Sequence, residues 1–321
     1  MSHNTTNHIR KGVSGMNTLQ LHIANYLNYC EYQKRLDFKT LKAYRIDLSQ
    51  FSKNIDIPDS ADISSAALEN YISSLHETYK PKTVKRKIAS IKAFFHYLEY
   101  KELIATNPFN KIQLKFREPS ILPKTIPLPT VELLLSTIYA HCRQAPTAYQ
   151  RKNALRDAAI IELLFATGMR ISELCSLRKS DISLSDHSIL IYGKGNKERR
   201  MQIGNDDVLQ ILTEYCNDFH EKDDSCSFFF INQNQTPVSD QAVRRMINKY
   251  VSLAAIDLHI TPHMFRHTFA TSLLEADVDI RYIQEMLGHS SINITEIYTH
   301  VALSKQRDIL TAKHPRKSFQ I

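Results

Sequence analysis

Residues 261–300 read TPHMFRHTFATSLLEADVDIRYIQEMLGHSSINITEIYTH. Thr261-Pro262 is a helix start, an N-cap residue followed by proline at the first helical position. The helix it opens carries His263, Arg266 and His267. His263 and Arg266 lie three residues apart and so share a face. Ile280 to Leu287 has the pattern of another helix, ended by Gly288, which puts His289 on a turn. Tyr298 follows nine residues after that histidine. Arginine presents a planar fork matched to two phosphate oxygens, and histidine adds a further donor. Such donors crowded near a phenol suggest a site for a phosphate that a tyrosine attacks. Each motif alone is ordinary surface chemistry; the weight lies in their joint occurrence.

Composition bounds the partners. A chain of 321 residues exceeds the usual size of one domain, so two are expected. The formal net charge of +8 favours an anionic partner, nucleic acid or an anionic surface. No apolar run has the length of a membrane span, and the N-terminus carries no apolar signal core. Those features argue against the membrane and for a cytoplasmic protein. The five cysteines (Cys30, Cys142, Cys175, Cys216, Cys226) are scattered and odd in number, without CxxC spacing. They read as reduced thiols, most of them buried, and not as a zinc module.

Upstream of the opening stretch, residues 1–15 are polar and aperiodic, as in a flexible tail. Four helices follow from residue 16. Leu19, Ile23, Leu27 and Cys30 mark the first, Leu41, Tyr44, Leu48 and Phe51 the second, and Leu68, Ile72 and Leu75 the third. The fourth opens at Lys80-Pro81 and carries Val84, Ile88, Ile91, Phe95 and Leu98 as one apolar stripe. Lys82, Lys85, Arg86, Lys87 and Lys92 are read as largely off that stripe, a basic face suited to a DNA backbone. Residues 106–129 carry five prolines and no helical stripe. The domain boundary is placed there, with residues 16–118 a helical DNA-binding domain, 119–129 a linker and 130–321 a second domain.

The second domain supplies further donors. A helix from about Thr130 precedes a longer one that closes at Thr167-Gly168, where glycine can take a left-handed cap. Arg170 then stands at the N-terminus of a short helix, where phosphates bind well, and Glu173 is placed to hold its guanidinium. Ser188–Tyr192 and Arg200–Ile203 read as a hairpin whose turn, GKGNK, carries Lys194 and Lys197. Helices are expected from about Asp206 to Phe219 and from Asp240 to Leu253, the second capped by Ser239 and bearing Arg244 and Arg245. Phe228–Ile231 reads as a short strand. Lys197, Arg244 and Arg245 join the expected DNA contacts. His263 and His267 have the i, i+4 spacing of zinc hydrolases, but Met264 stands where the catalytic glutamate belongs. His267 is better read as a packing residue behind the site.

The set ATGMRISEL, GKGNKER, PHMFRHTFAT, LGHSS and IYTHV, in that order, resembles the tyrosine site-specific recombinases, closest to the Xer-type branch. The resemblance runs from about Met16 to the C-terminus. It implies a mainly α protein: an N-terminal four-helix, SAM-like core-binding domain and a mostly helical catalytic domain with a small antiparallel β-sheet, together clamping DNA. It makes Arg170 and Arg266 the phosphate-clamping arginines and Lys194 the hairpin lysine. His263 and His289 become the paired histidines and Tyr298 the nucleophile. Asn293-Ile294-Thr295-Glu296 departs from the family's usual run before the tyrosine and touches none of the six positions.

The chemistry implied is strand transfer through a 3′-phosphotyrosyl link and a Holliday junction, with no cofactor and no metal. The expected partner is a double-stranded recombination site, bound by a tetramer, with or without a second recombinase. Chromosome-dimer resolution and mobile-element integration use the same residues. A tyrosine-type topoisomerase shares the chemistry, and a non-catalytic DNA-binding regulator is the alternative of another class.

Overall fold

The computed structural model describes residues 17–113, 124–193, 198–220 and 226–288. The chain divides into two compact units, Met1–Ser120 and Ile121–Ile321.

Among the described residues four α-helices build the first unit: α1 (Thr18–Asn28), α2 (Phe38–Asn54), α3 (Ser65–Thr78) and α4 (Pro81–Tyr100). Local chemistry sets their starts. The side chains of Asn17, Asp37 and Ser64 accept from the N–H groups of Gln20, Thr40 and Ala67, at 2.9, 3.0 and 3.2 Å. Pro81 opens α4, where its missing N–H has no helical partner to lose. The stripe Val84, Ile88, Ile91, Phe95 and Leu98 is buried, against Leu19, Leu48, Phe51 and Leu68. Tyr26, and not Leu27, takes the inner position on α1, ringed by Tyr44, Phe94 and Tyr97. Past Asn28 the chain widens into a π turn, Tyr29–Gln33, closed by Lys34 N–H to Tyr29 O at 3.0 Å. That added turn carries Cys30 into the core.

Lys87 corrects the basic-face reading. It follows Val84 by three and precedes Ile91 by four residues, so it shares their face and lies inside, 2% exposed. Its ammonium donates to Asp47 at 3.3 Å, also to Gln50, and lies 4.6 Å from the Tyr79 ring centre. Asp47 is fully buried and also accepts from Ser90 at 3.0 Å and from Arg86. Lys82, Lys85, Arg86 and Lys92 are exposed.

In the second unit, α5 (Leu128–Gln144) packs on α6 (Ala148–Thr167). The start of α5 lies at Leu128 because Pro129 fits the first turn as well as Thr130 does. Just before it, Ile126 enters the core and its N–H donates to the Thr268 hydroxyl at 2.8 Å. Helix α6 is central: Ala158, Ile161, Leu163 and Leu164 are all fully buried, on several faces. Then come α7 (Ile171–Ser176), the antiparallel sheet of β1 (Ile182–Ser183), β2 (Ser188–Tyr192) and β3 (Glu198–Gln202), and α8 (Asp206–His220). Ile189 pairs with Met201, which places both apolar side chains on the core side. Helices α9 (Asp240–Leu253), α10 (Pro262–Glu275) and α11 (Ile280–Leu287) follow.

Residues 228–231 form only single bridges, Arg178 to Phe228 and Ile231 to Pro237. The buried Tyr215 hydroxyl takes the place of a strand neighbour there, donating to Phe229 O at 2.9 Å and accepting from Ile231 N at 3.0 Å. All five cysteines are free thiols, and only Cys30 is fully buried. Among the described residues no helix is long and apolar enough to cross a membrane.

Candidate active site

Two left-handed glycines frame the site. Gly168 ends α6 at φ 57°, ψ 20°, and Gly288 ends α11 at φ 63°, ψ 45°. Both are conformations that glycine adopts without strain. A β-carbon on Gly168 would lie 2.6 Å from the Phe269 ring and 3.1 Å from Leu287, so close packing also demands glycine.

Arg266 ties the two caps together. It projects from α10, is 6% exposed, and donates to the Gly168 carbonyl at 2.8 Å and the Leu287 carbonyl at 2.6 Å. Carbonyls at helix C-termini lack intrahelical donors and carry the negative end of the helix dipole, so a buried guanidinium is well matched there. The same contact fixes Arg266 beside the turn that presents Arg170, two residues after Gly168.

Arg170 sits in extended conformation just before α7. Glu173 grips it twice, accepting from its backbone N–H at 2.9 Å and its guanidinium at 2.7 Å. The Arg170 side chain remains about one-third exposed, at 32%. Glu173 is itself buried, and burial raises its pKa. The hydrogen bonds from Arg199 and from the Arg170 backbone, with the charges of both arginines, outweigh that and hold the carboxyl below its ordinary value.

Arg199 is the residue that sequence reasoning missed. From β3 it donates to both carboxylate oxygens of Glu173, at 3.2 and 2.7 Å, and to the Met286 carbonyl at 2.8 Å. Its side chain is 9% exposed. The signal available was weak: Arg199 follows the GKGNKE hairpin and is one of two adjacent arginines, so only strand alternation distinguishes it.

His263 is exposed one turn before Arg266 on the same helix. His267 is half-buried; burial first, then the charges of His263 and Arg266, lower its pKa below 6.5. Arg244 and Arg245 are exposed on α9. The structure therefore brings Arg170, Glu173, His263, Arg266 and His267 to one region. Lys194, Lys197, His289 and Tyr298 lie outside the described residues, although Gly288 places the chain leading into His289 against Arg199.

The profile of the phage integrase family matches residues 134–305, and that of the phage integrase N-terminal SAM-like domain matches residues 23–102. A protein named tyrosine recombinase from Agathobacter rectalis is 69% identical over 304 residues, covering 95% of this chain and 99% of the relative. Tyrosine recombinase XerD of Halalkalibacterium halodurans is 33% identical, covering 94% and 100%. Tyrosine recombinase XerC of Bacillus pumilus is 32% identical, covering 91% and 95%. Among solved structures, XerH site-specific recombinase bound to its difH substrate shares the fold, with a TM-score of 0.69 at 22% identity over 91% of this chain and 95% of that one. The chain belongs to the phage integrase family. Within it, the chain is a tyrosine recombinase of the Xer type.

Proposed function

We propose that this enzyme performs site-specific DNA recombination by transesterification at the Arg170–Arg266 site, with Tyr298 as nucleophile. A phosphodiester resists attack because its anionic oxygens repel nucleophiles. Arg170 and Arg266 neutralise those oxygens and favour the more highly charged transition state. A tyrosine phenol ordinarily titrates near pH 10, and the same cations favour its ionised form. The Tyr298 oxygen attacks phosphorus, the bond from phosphorus to the 5′-oxygen breaks, and Lys194 gives that oxygen a proton. His263 and His289 donate to phosphate oxygens or move the phenol proton. A 3′-phosphotyrosyl link results. Attack by the 5′-hydroxyl of another strand reverses the chemistry and reseals DNA, so no ATP is consumed. Two rounds of exchange, through a Holliday junction, recombine two duplexes.

The observation that carries this reading is the Arg266 contact with the Gly168 carbonyl, at 2.8 Å, which brings two distant arginine motifs to one place. We assign Lys82, Lys85, Arg86, Lys197, Arg244 and Arg245 to the DNA backbone and omit the buried Lys87. The assembly is a tetramer on the paired sites, alone or with a second recombinase, and acts in the cytoplasm.

Cleavage mapping on DNA flanking the gene, followed by a nicked suicide duplex of the mapped site, tests the reading. The wild-type chain should form a covalent adduct that survives denaturation. Tyr298→Phe should bind the same duplex and form none; an adduct in that variant would sink the assignment. Relaxation of supercoils without recombinant product would favour a topoisomerase.

A further inference from the structure

We infer that Arg199 is a positioning residue for strand cleavage: it locks the Arg170 clamp to the end of α11, from which the chain runs on to His289 and Tyr298. The inference rests on the catalytic reading above and assigns a role to a residue outside its six positions.

Three contacts converge on this side chain. Two of its nitrogens meet the two oxygens of Glu173, a fork-to-fork pair of the kind that fixes orientation as well as distance. Its Nε donates to the Met286 carbonyl at 2.8 Å. Its Cδ and Nη1 lie 3.1 Å from where a β-carbon on Gly288 would stand, so glycine at the cap is what lets the arginine come this close. Glu173 in turn holds the Arg170 backbone and guanidinium. A single chain of contacts thus runs from Arg170 through Glu173 and Arg199 to the last turn of α11.

The arrangement divides labour with Arg266. That residue caps the Leu287 carbonyl, while Arg199 caps Met286, so adjacent carbonyls of α11 are held by two different arginines. One of them comes from a helix and the other from the hairpin strand that follows Lys194. Arg199 therefore links three catalytic segments: the Arg170 turn, the hairpin and the approach to the tyrosine. All three of its nitrogens donate to protein, Nε to Met286 and Nη1 and Nη2 to Glu173, so it acts through Arg170 and the α11 terminus.

The test uses the full-length chain and the nicked suicide duplex of the mapped site. Arg199→Lys keeps a cation but cannot reach both Glu173 oxygens and the Met286 carbonyl at once. Arg199→Lys and Arg199→Ala should bind the duplex within about twofold of wild type and form adduct at least about tenfold more slowly. The acid limb of the cleavage rate should move to higher pH in Arg199→Ala, because Glu173 loses the partner that lowers its carboxyl most. Cleavage at the wild-type rate by a folded Arg199→Lys would overturn the inference. So would an equal loss of binding and cleavage with no change in pH profile, which marks a merely structural role. Should the wild-type chain itself form no adduct, the recombinase reading fails. Amide exchange without DNA then judges the bridge: Arg199→Ala should speed exchange in both α7 and the last turn of α11, and a change in neither overturns it.

Discussion

The Arg266 guanidinium donates to the Gly168 carbonyl across 98 residues of sequence, at 2.8 Å. This bond joins the helix of the opening stretch to the turn before Arg170. At that turn Gly168 adopts φ 57°, and Phe269 and Leu287 close over the bare α-carbon. Gly168→Ala should therefore cost stability twice, through a left-handed alanine and through a methyl driven into the Phe269 ring. Together these amount to about 2 kcal/mol or more. Denaturant unfolding of the purified variant measures the loss, and a change below about 0.5 kcal/mol would contradict this packing account.

Arg266→Lys tests the fork itself. A lysine ammonium is a point charge on a flexible stem and cannot hold two carbonyls and a phosphate in fixed geometry. Adduct formation on the suicide duplex should fall by about 10²- to 10³-fold, the range for losing one preorganised transition-state donor. Retention of the wild-type rate would show that charge alone suffices.

Much of this was legible in sequence because the decisive features are local. Pro81 and Pro262 and the glycine stops at 168 and 288 act through their own backbone, and the cap Ser239 through a side-chain bond to an N–H three residues on. Thr261 is a partial exception: it stands at the N-cap in extended conformation, but its side chain makes no capping bond. The hairpin lies where alternation put it, with its second strand starting two residues early, at Glu198. What sequence could not show is pairing between distant segments. Nothing at Arg199 announces that it will meet Glu173 and Met286, and nothing at Lys87 announces Asp47, forty residues away. An arginine on a basic stretch looks alike whether it faces solvent or a buried carboxylate.

Lysines 82, 85 and 87 of α4 should separate by effect. Lys82→Ala and Lys85→Ala remove exposed charge, so each should lower the slope of log binding constant against log salt by about one, with little change in folding. Lys87→Ala instead strips a cation from the fully buried Asp47 and should destabilise the first unit by about 3 kcal/mol. Salt titration of duplex binding and thermal unfolding, run on the same three variants, provide the comparison. An Lys87 variant that changes the salt slope but not stability would return that residue to the DNA-facing set.

Acid should weaken the catalytic unit in two steps of known sign. His267 has its folded pKa below the ordinary 6.5, chiefly through burial. Above the unfolded value it has no effect; as pH falls below about 6.5 the unfolded chain takes up the proton first, and stability declines. Glu173 has its folded pKa depressed by Arg199 and Arg170. Its contribution is complete above the unfolded carboxyl value, about 4.3, and is lost as pH falls through the lower folded value. His267→Asn should flatten the stability curve in the upper window, and Glu173→Gln should flatten it in the lower. Unfolding free energies measured from pH 8 to pH 3 resolve the two. A His267→Asn profile that kept the full slope between pH 7 and 5 would assign that step to another group.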